Sequence, residues 1–327
     1  MSLVNRLRNA WRWRQRDWQL KSFLAALKQQ RLDRPFVIIA MPGSLHVTWL
    51  ALQRVPAGVD RLIVLNGLPA WEVKLAQQLF GGQPLVHCGA MMEHDQVLDL
   101  LFEGLQGDFG ILDYDCFVLD ASHFEPMRRL APGVQMNAVF SRVHPQSGLR
   151  VPETFFLFFN REAIRGLGQR HGVSCHPKRW RDLSPAVAER LAGEGFGEGR
   201  LPEAHKDYFD TLRVLMMLGR AEGLRFDFLA DFPATPTPSG EIFHVGGISN
   251  PRQVDGLWRF RGVYFWRRAL EVCDMPALKA RYAREYGPGT AAQLRQAHPA
   301  WAAEVGDEFF AFCDRLLTSG ALGAASR

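Results

Sequence analysis

From residue 35 the chain alternates short apolar runs with stretches of helical periodicity. PFVIIA (35–40), RLIVLN (61–66), QPLVHC (83–88) and DFGILD (108–113) are predicted strands. Segments 44–54, 70–80 and 95–105 are predicted helices; in the last, Leu98, Leu101, Phe102 and Leu105 fall at i, i+3, i+4 and i+7 and share one face. Strands recurring about every 25 residues with helices between them imply βαβ units, hence an α/β fold with a mainly parallel sheet. Such sheets bind ligands at the carboxyl ends of their strands, so residues there are weighed first.

The flanks break this rhythm. Residues 3–27 are helical in period, but the apolar face moves: Leu3, Val4, Leu7, Trp11 and Trp18 share one side, whereas Leu20, Phe23, Leu24 and Leu27 lie opposite. Two short helices or a bend near Asp17 are expected. After residue 120, strands are predicted at 134–140 and 154–159, followed by a helix from about Asn160. Residues 175–205, rich in Gly, Pro and charge, read as an irregular connection. A helix is expected over 207–222, with the Leu212, Leu215, Met216 face directed to the core. The segment from Ala230 reads as loop with a short strand at 241–245, and helices follow from Val254 to about Leu317. The expected division is therefore 1–34, basic amphipathic helices; 35–250, the α/β domain, with its halves at 35–120 and 121–250; and 251–327, a helical extension.

Charge changes the picture in one place. Of 39 basic and 34 acidic residues, Arg6, Arg8, Arg12, Arg14, Arg16, Lys21, Lys28, Arg31 and Arg34 face only Asp17 and Asp33 in the first 34 positions. The remainder is slightly acidic, which excludes a general nucleic-acid-binding surface. The first helix, aromatic on one side and basic on the other, suits a membrane surface or a partner protein; packing on its own domain is the alternative. Apolar runs fall short of the roughly 20 residues of a membrane span, and no leader is evident, so a cytoplasmic location is expected, with peripheral contact at the inner membrane face left open. Cys88, Cys116, Cys175, Cys273 and Cys313 are scattered and form no C-x-x-C pair, which points to reduced thiols.

The sharpest chemical signal is Asp113-Tyr114-Asp115, closing the fourth strand. In an extended segment residues i and i+2 point the same way, so both carboxylates can face one site. Two such anions would repel unless a hard divalent cation sat between them. An acidic surface turn is the alternative. Here the sequence resembles the GT-A class of nucleotide-sugar-dependent glycosyltransferases, whose Asp-x-Asp motif binds a metal bridging the donor diphosphate. The resemblance covers about residues 35–250 and implies a GT-A-like, Rossmann-type sheet, Mn²⁺ or Mg²⁺ on Asp113 and Asp115, and a UDP- or GDP-linked sugar donor contacted by Asp113 and Tyr114. His94-Asp95-Gln96 stands where many such enzymes start a nucleotide-binding helix. Ala40 and Pro42, in Ala40-Met41-Pro42-Gly43-Ser44, and Asn66 end strands on the donor side. In Phe243-His244-Val245-Gly246-Gly247, the resemblance implies that His244 is a third ligand and Gly246 a close approach to phosphate. Arg252 would reach the diphosphate.

An inverting enzyme of this class also carries an acidic base near a helix start, which the resemblance places at Asp210 or, three residues earlier, Asp207; both also suit a helix first turn. Cys175-His176 lacks a supporting Asn or Asp and is no nucleophile pair. Trp258, Phe260, Tyr264, Phe265 and Trp266 read as core, with sugar stacking on one of them left open. Neither G-x-G-x-x-G nor a P-loop motif is present. The rival readings are a haloacid-dehalogenase-like phosphatase, against which Phe117 stands where that family expects Thr or Val, and a non-catalytic partner protein that keeps this scaffold.

Overall fold

The structure, a computed structural model, describes residues 17–202, 206–233, 241–287 and 289–321. Helix α1 (17–29) precedes β1 (Phe36–Ala40), α2 (Leu45–Leu52), β2 (Arg61–Asn66), α3 (Ala70–Leu79), β3 (Leu85–Cys88), α4 (His94–Gly104) and β4 (Phe109–Leu112). All seven elements from β1 lie where the apolar pattern puts them. Every residue of β1 and β4 is buried, as expected for parallel strands covered on both faces. Strands β5 (Cys116–Val118), β6 (Val134–Val143), β7 (Arg150–Pro152) and β8 (Phe156–Phe159) follow, then α5 (Phe124–Met127) between β5 and β6, and α6 (Arg161–His171) after β8.

The main sheet gains one more strand, β11 (Arg225–Pro233), beyond the short pair β9 (Lys178–Arg179) and β10 (Tyr208–Phe209). Its order is β11-β6-β8-β4-β1-β2-β3, with β7 beside β6. Strands β1 to β4 run parallel, β8 enters antiparallel between β4 and β6, and β11 is parallel to β6. From β1 the chain steps outward to β2 and β3, then returns to lay β4 on the other side of β1. That reversal opens a crevice beyond the carboxyl ends of β1 and β4, the place where open α/β sheets bind ligand. Two buried aromatic clusters pack against the sheet, Phe36 with Phe124, Phe156 and Phe158, and Phe109 with Phe159 and Phe102 of α4.

Three sequence expectations need correction. Within 175–205 lies a regular helix, α7 (Pro185–Gly193), whose Ser184 side chain accepts from Val187 N–H. Ser then Pro at the first helical position is a start signal that the surrounding Gly and charge obscure. The helix expected over 207–222 begins only at α8 (Arg213–Ala221), because residues 208–209 pair with β9 and Leu212 has φ 66, a left-handed conformation incompatible with continuing a helix. Strand β11 was missed although Phe226, Asp227 and Phe228 alternate across it. The last strand is β12 (Ile242–His244), and five helices end the described chain: α9 (Leu257–Val272), α10 (Pro276–Tyr286), α11 (Ala291–Ala297), α12 (Pro299–Val305) and α13 (Asp307–Ala321).

Helix α1 buries Phe23 and Leu27, while Trp18, on the opposite side, is 67 % exposed. The earlier part of the amphipathic segment, Leu3 to Trp11, lies outside the described residues. Among the described residues no helix is long and apolar enough to cross a membrane. None of the five cysteines is in a disulfide, and four of them are buried.

The loop after β1 is pinned from below. Gly43 N–H donates to both oxygens of the buried Glu72 (3.1 and 3.2 Å), and Gly43 O accepts from the Trp266 indole (2.7 Å). Burial, partly offset by the Gly43 hydrogen bond, pushes the Glu72 carboxyl up to about 7. The folded protein therefore holds this proton where the unfolded chain has released it, so stability falls as pH rises from the ordinary carboxylate range toward 7, and the loss is complete above that. Glu72→Gln should remove that slope: relative to the variant, the wild type is expected to lose about 2–3 kcal/mol between pH 5 and pH 8, read by urea unfolding at both. Parallel pH dependence in the two proteins would contradict this.

Candidate active site

Beyond β4 the chain turns tightly, with Cys116 N–H donating to Asp113 O (2.9 Å). The two carboxylates thus meet across a turn rather than along an extended strand, which corrects the geometric reason for pairing them. Asp113 N–H is fixed by Phe155 O (2.9 Å). Strand β5 then pairs antiparallel with β12, setting Cys116 opposite His244. That ladder carries a residue from far along the chain to the acidic turn. Asp115 O accepts from Val245 N–H (3.1 Å) and Asp115 Oδ2 from Gly246 N–H (3.1 Å).

The result is a cluster: His244 Nε2 lies 3.5 Å from Asp115 Oδ1 and 3.7 Å from Asp113 Oδ2. One ligand atom from each of the three residues falls within 4.8 Å of the others. Phe155 stacks on the imidazole at 3.6 Å between centroids, and Nδ1 is buried without a hydrogen-bond partner, which leaves Nε2 as the edge that meets the carboxylates. Burial, and then the Asp115 charge, push the Asp113 carboxyl well above its ordinary value. The Tyr114 phenol is pushed up by burial and by both carboxylates. Two hard oxygen donors and an imidazole, with negative charge confined against apolar walls, fit a divalent cation such as Mn²⁺ or Mg²⁺.

The cluster sits in a cleft lined by Ile39, Met41, Asn66, His94, Ile111, Tyr114, Gly246, Gly247, Ile248, Ser249 and Trp258. Of the predicted donor-side residues, Asn66, His94, Tyr114 and Gly246 are therefore on its walls. The Asn66 amide, however, is occupied at both ends by Met92, accepting from its N–H (3.0 Å) and donating to its O (2.8 Å), so it holds the loop before α4. Ala40 and Pro42 do not line the cleft. Side chains alternate along β1, so Ile39 and Met41 face the cleft and Ala40 faces the core.

Arg252 is likewise displaced: its Nε donates to Glu285 O (2.8 Å) and its guanidinium covers Tyr286. The guanidinium whose charge acts on Tyr114 is Arg259, which donates to Ser249 Oγ (3.0 Å). Asp207 is exposed and paired with Arg179 (3.4 Å). Asp210 is bound by Lys206 and by Thr211 N–H, and its charge reaches His94 on the cleft wall. Burial, countered by Asp95 and Asp210, pulls the His94 imidazole down. The sequence left Arg259 and Ser249 unmarked; a loop of small residues running into the aromatic start of α9 was the available signal. His176 does have a carboxylate partner, Asp95 (2.6 Å), which the sequence did not reveal; what argues against a nucleophile is the Cys175 thiol, buried and pushed up by burial and by Asp99.

The family model described as StrH glycosyltransferase N-terminal domain matches residues 12–164, which include β1 to β4, the acidic turn and β8. A curated relative, the dTDP-dihydrostreptose–streptidine-6-phosphate dihydrostreptosyltransferase of Streptomyces griseus, is 25% identical over 280 residues, covering 71% of each chain. Among solved structures, the glycosyltransferase GlyE of Streptococcus pneumoniae TIGR4 aligns at 13% identity and TM-score 0.42, over 78% of this chain and 64% of that one. The apo structure of the bifunctional WbbM glycosyltransferase aligns at 11% and 0.36, over 62% and 39%. The chain thus spans under two thirds of the length of either solved protein. The family match and the curated relative make this chain a glycosyltransferase. The phosphatase and partner-protein readings are set aside.

Proposed function

We propose that the chain moves a sugar from a nucleoside-diphosphate donor to an acceptor hydroxyl by GT-A-type, metal-dependent chemistry. The observation that carries this reading is the meeting of Asp113, Asp115 and His244 at the carboxyl ends of β1 and β4, where the sheet reverses. A cation bound by these three residues would neutralise the departing diphosphate. The chain supplies the rest. Ile39, Met41 and Ile111 make an apolar slot against the end of the sheet for the base. Arg259 brings positive charge beside Tyr114, where leaving-group charge grows. Asp210 is retained over Asp207 as the carboxylate serving the acceptor, because its charge acts on His94 at the cleft wall. The Asp210 carboxylate would then assist loss of the acceptor proton as the new C–O bond forms and the bond to diphosphate breaks.

The Streptomyces relative is named for a dTDP-linked donor and a phosphorylated acceptor, so dTDP-sugars join UDP- and GDP-sugars as donors to test. A screen of these three classes, read by released nucleotide diphosphate, is expected to show turnover with one of them, abolished by EDTA and restored by Mn²⁺ or Mg²⁺. Asp210→Asn should then slow kcat without weakening nucleotide binding. Turnover that persists undiminished after exhaustive chelation would overturn the metal-dependent reading.

A further inference from the structure

We infer that Trp258 is the wall against which the transferred sugar lies, its indole face packed on the sugar's C–H face. This rests on the donor reading above. Helix α9 opens with an aromatic-rich stretch, and Phe260, Phe265 and Trp266 are at most 2 % exposed. Trp258 differs: it is 43 % exposed, lines the cleft and stands 6.2 Å, centroid to centroid, from His244. A large apolar ring left open beside a carboxylate cluster is the kind of surface that a ligand covers.

Its placement is built into the backbone. Gly246 and Gly247 have φ of 68 and 71, conformations that L-residues rarely adopt. A Cβ on Gly246 would collide with the indole itself, and one on Gly247 with the Trp258 carbonyl. Gly246 N–H is also the group that Asp115 Oδ2 accepts from. One loop therefore holds both the carboxylate and the indole, and sets the separation between them.

The chemistry of the wall matches a sugar ring. Such a ring has an apolar C–H face and a polar hydroxyl rim. Trp258 and Ile248 form the apolar surface, and Ser249, held by Arg259, lies at its polar edge. The transferred sugar is bonded directly to the terminal phosphate, so it must lie within about one ring's width of whatever holds that phosphate. Trp258 stands at that distance from His244.

The test compares nucleotide with nucleotide sugar in the full-length chain: dTDP with dTDP-glucose, UDP with UDP-glucose and GDP with GDP-mannose, all with Mn²⁺, by titration calorimetry. Donor and acceptor KM are measured in parallel. In Trp258→Ala the bare nucleotide should bind within twofold of wild type, while nucleotide-sugar affinity and donor KM worsen about tenfold; Trp258→Phe should recover most of the loss. Unchanged donor affinity in a variant that melts like wild type would overturn the inference. A rise in acceptor KM alone would overturn it too, by assigning the stacked ring to the acceptor. If wild type binds no nucleotide in the presence of Mn²⁺, the donor reading itself fails and the inference falls with it, an outcome separable from loss in the variant only.

Discussion

Replacing Asp115 with alanine is expected to lower kcat by on the order of 10²–10³-fold or more, the scale seen when a group that stabilises transition-state charge is removed. Asp115 has two functions that the substitution separates. Its Oδ1 belongs to the cluster with His244, and its Oδ2 accepts from Gly246 N–H, while its backbone carbonyl keeps Val245 in place whatever the side chain. Asp115→Asn retains an acceptor for Gly246 but removes the charge. Both variants should fold and both should lose turnover. If Asp115→Asn retained near-wild-type rates, the carboxylate would be a structural brace for the glycine loop and nothing more.

The second large effect is on stability. Glu153 joins the buried Arg213 (3.0 Å) and the half-buried Arg142 (2.7 Å), linking the start of α8 to the β7–β8 connection. Arg213 is 2 % exposed. Truncating Glu153 removes one carboxylate from the buried Arg213, which keeps its bond to Pro152 O and the Asp210 charge. Glu153→Ala should therefore destabilise the fold by about 3 kcal/mol, the lower end for a broken buried ion pair. That is a large part of the net stability of an ordinary domain, roughly 5–15 kcal/mol. Urea unfolding of the variant reads it directly; a change below about 1 kcal/mol would show that Arg213 is adequately held by its other contacts. Activity should fall as well, because two residues beyond Glu153 stands Phe155, which stacks on His244 and whose carbonyl fixes Asp113.

The βαβ half was legible because its physics is local. Val- and Ile-rich runs such as 35–40 and 61–66, separated by i, i+3, i+4 periodicity, have few other solutions. Asp113, Asp115 and His244 were readable as a set only through the resemblance, since the antiparallel pairing of β5 with β12 that joins them is a long-range contact no local pattern shows. Even there the reason offered was wrong: a turn, not an extended strand, brings the carboxylates together. The resemblance placed Ala40 on the donor side, whereas strand alternation turns it to the core and leaves its neighbours Ile39 and Met41 facing the cleft. Arg252 was named for the diphosphate and Arg259 was not considered, whereas in space it is Arg259, on α9, that reaches Ser249 at the cleft. The helix expected over 207–222 failed at Leu212, whose left-handed backbone is set by tertiary context, since Leu212 N–H donates to Cys175 O.

The central claim is that the carboxylate–imidazole cluster exists to hold a cation and, through it, a diphosphate. The measurement that tests it most directly is titration calorimetry of dTDP, UDP and GDP against the wild-type chain and Asp115→Ala, each with Mn²⁺ and with EDTA. Binding of one nucleotide by the wild type with Mn²⁺, lost with EDTA and lost in the variant, is the predicted result. Equal affinity in all four conditions would contradict the claim, because the diphosphate would then be held by something other than that cluster.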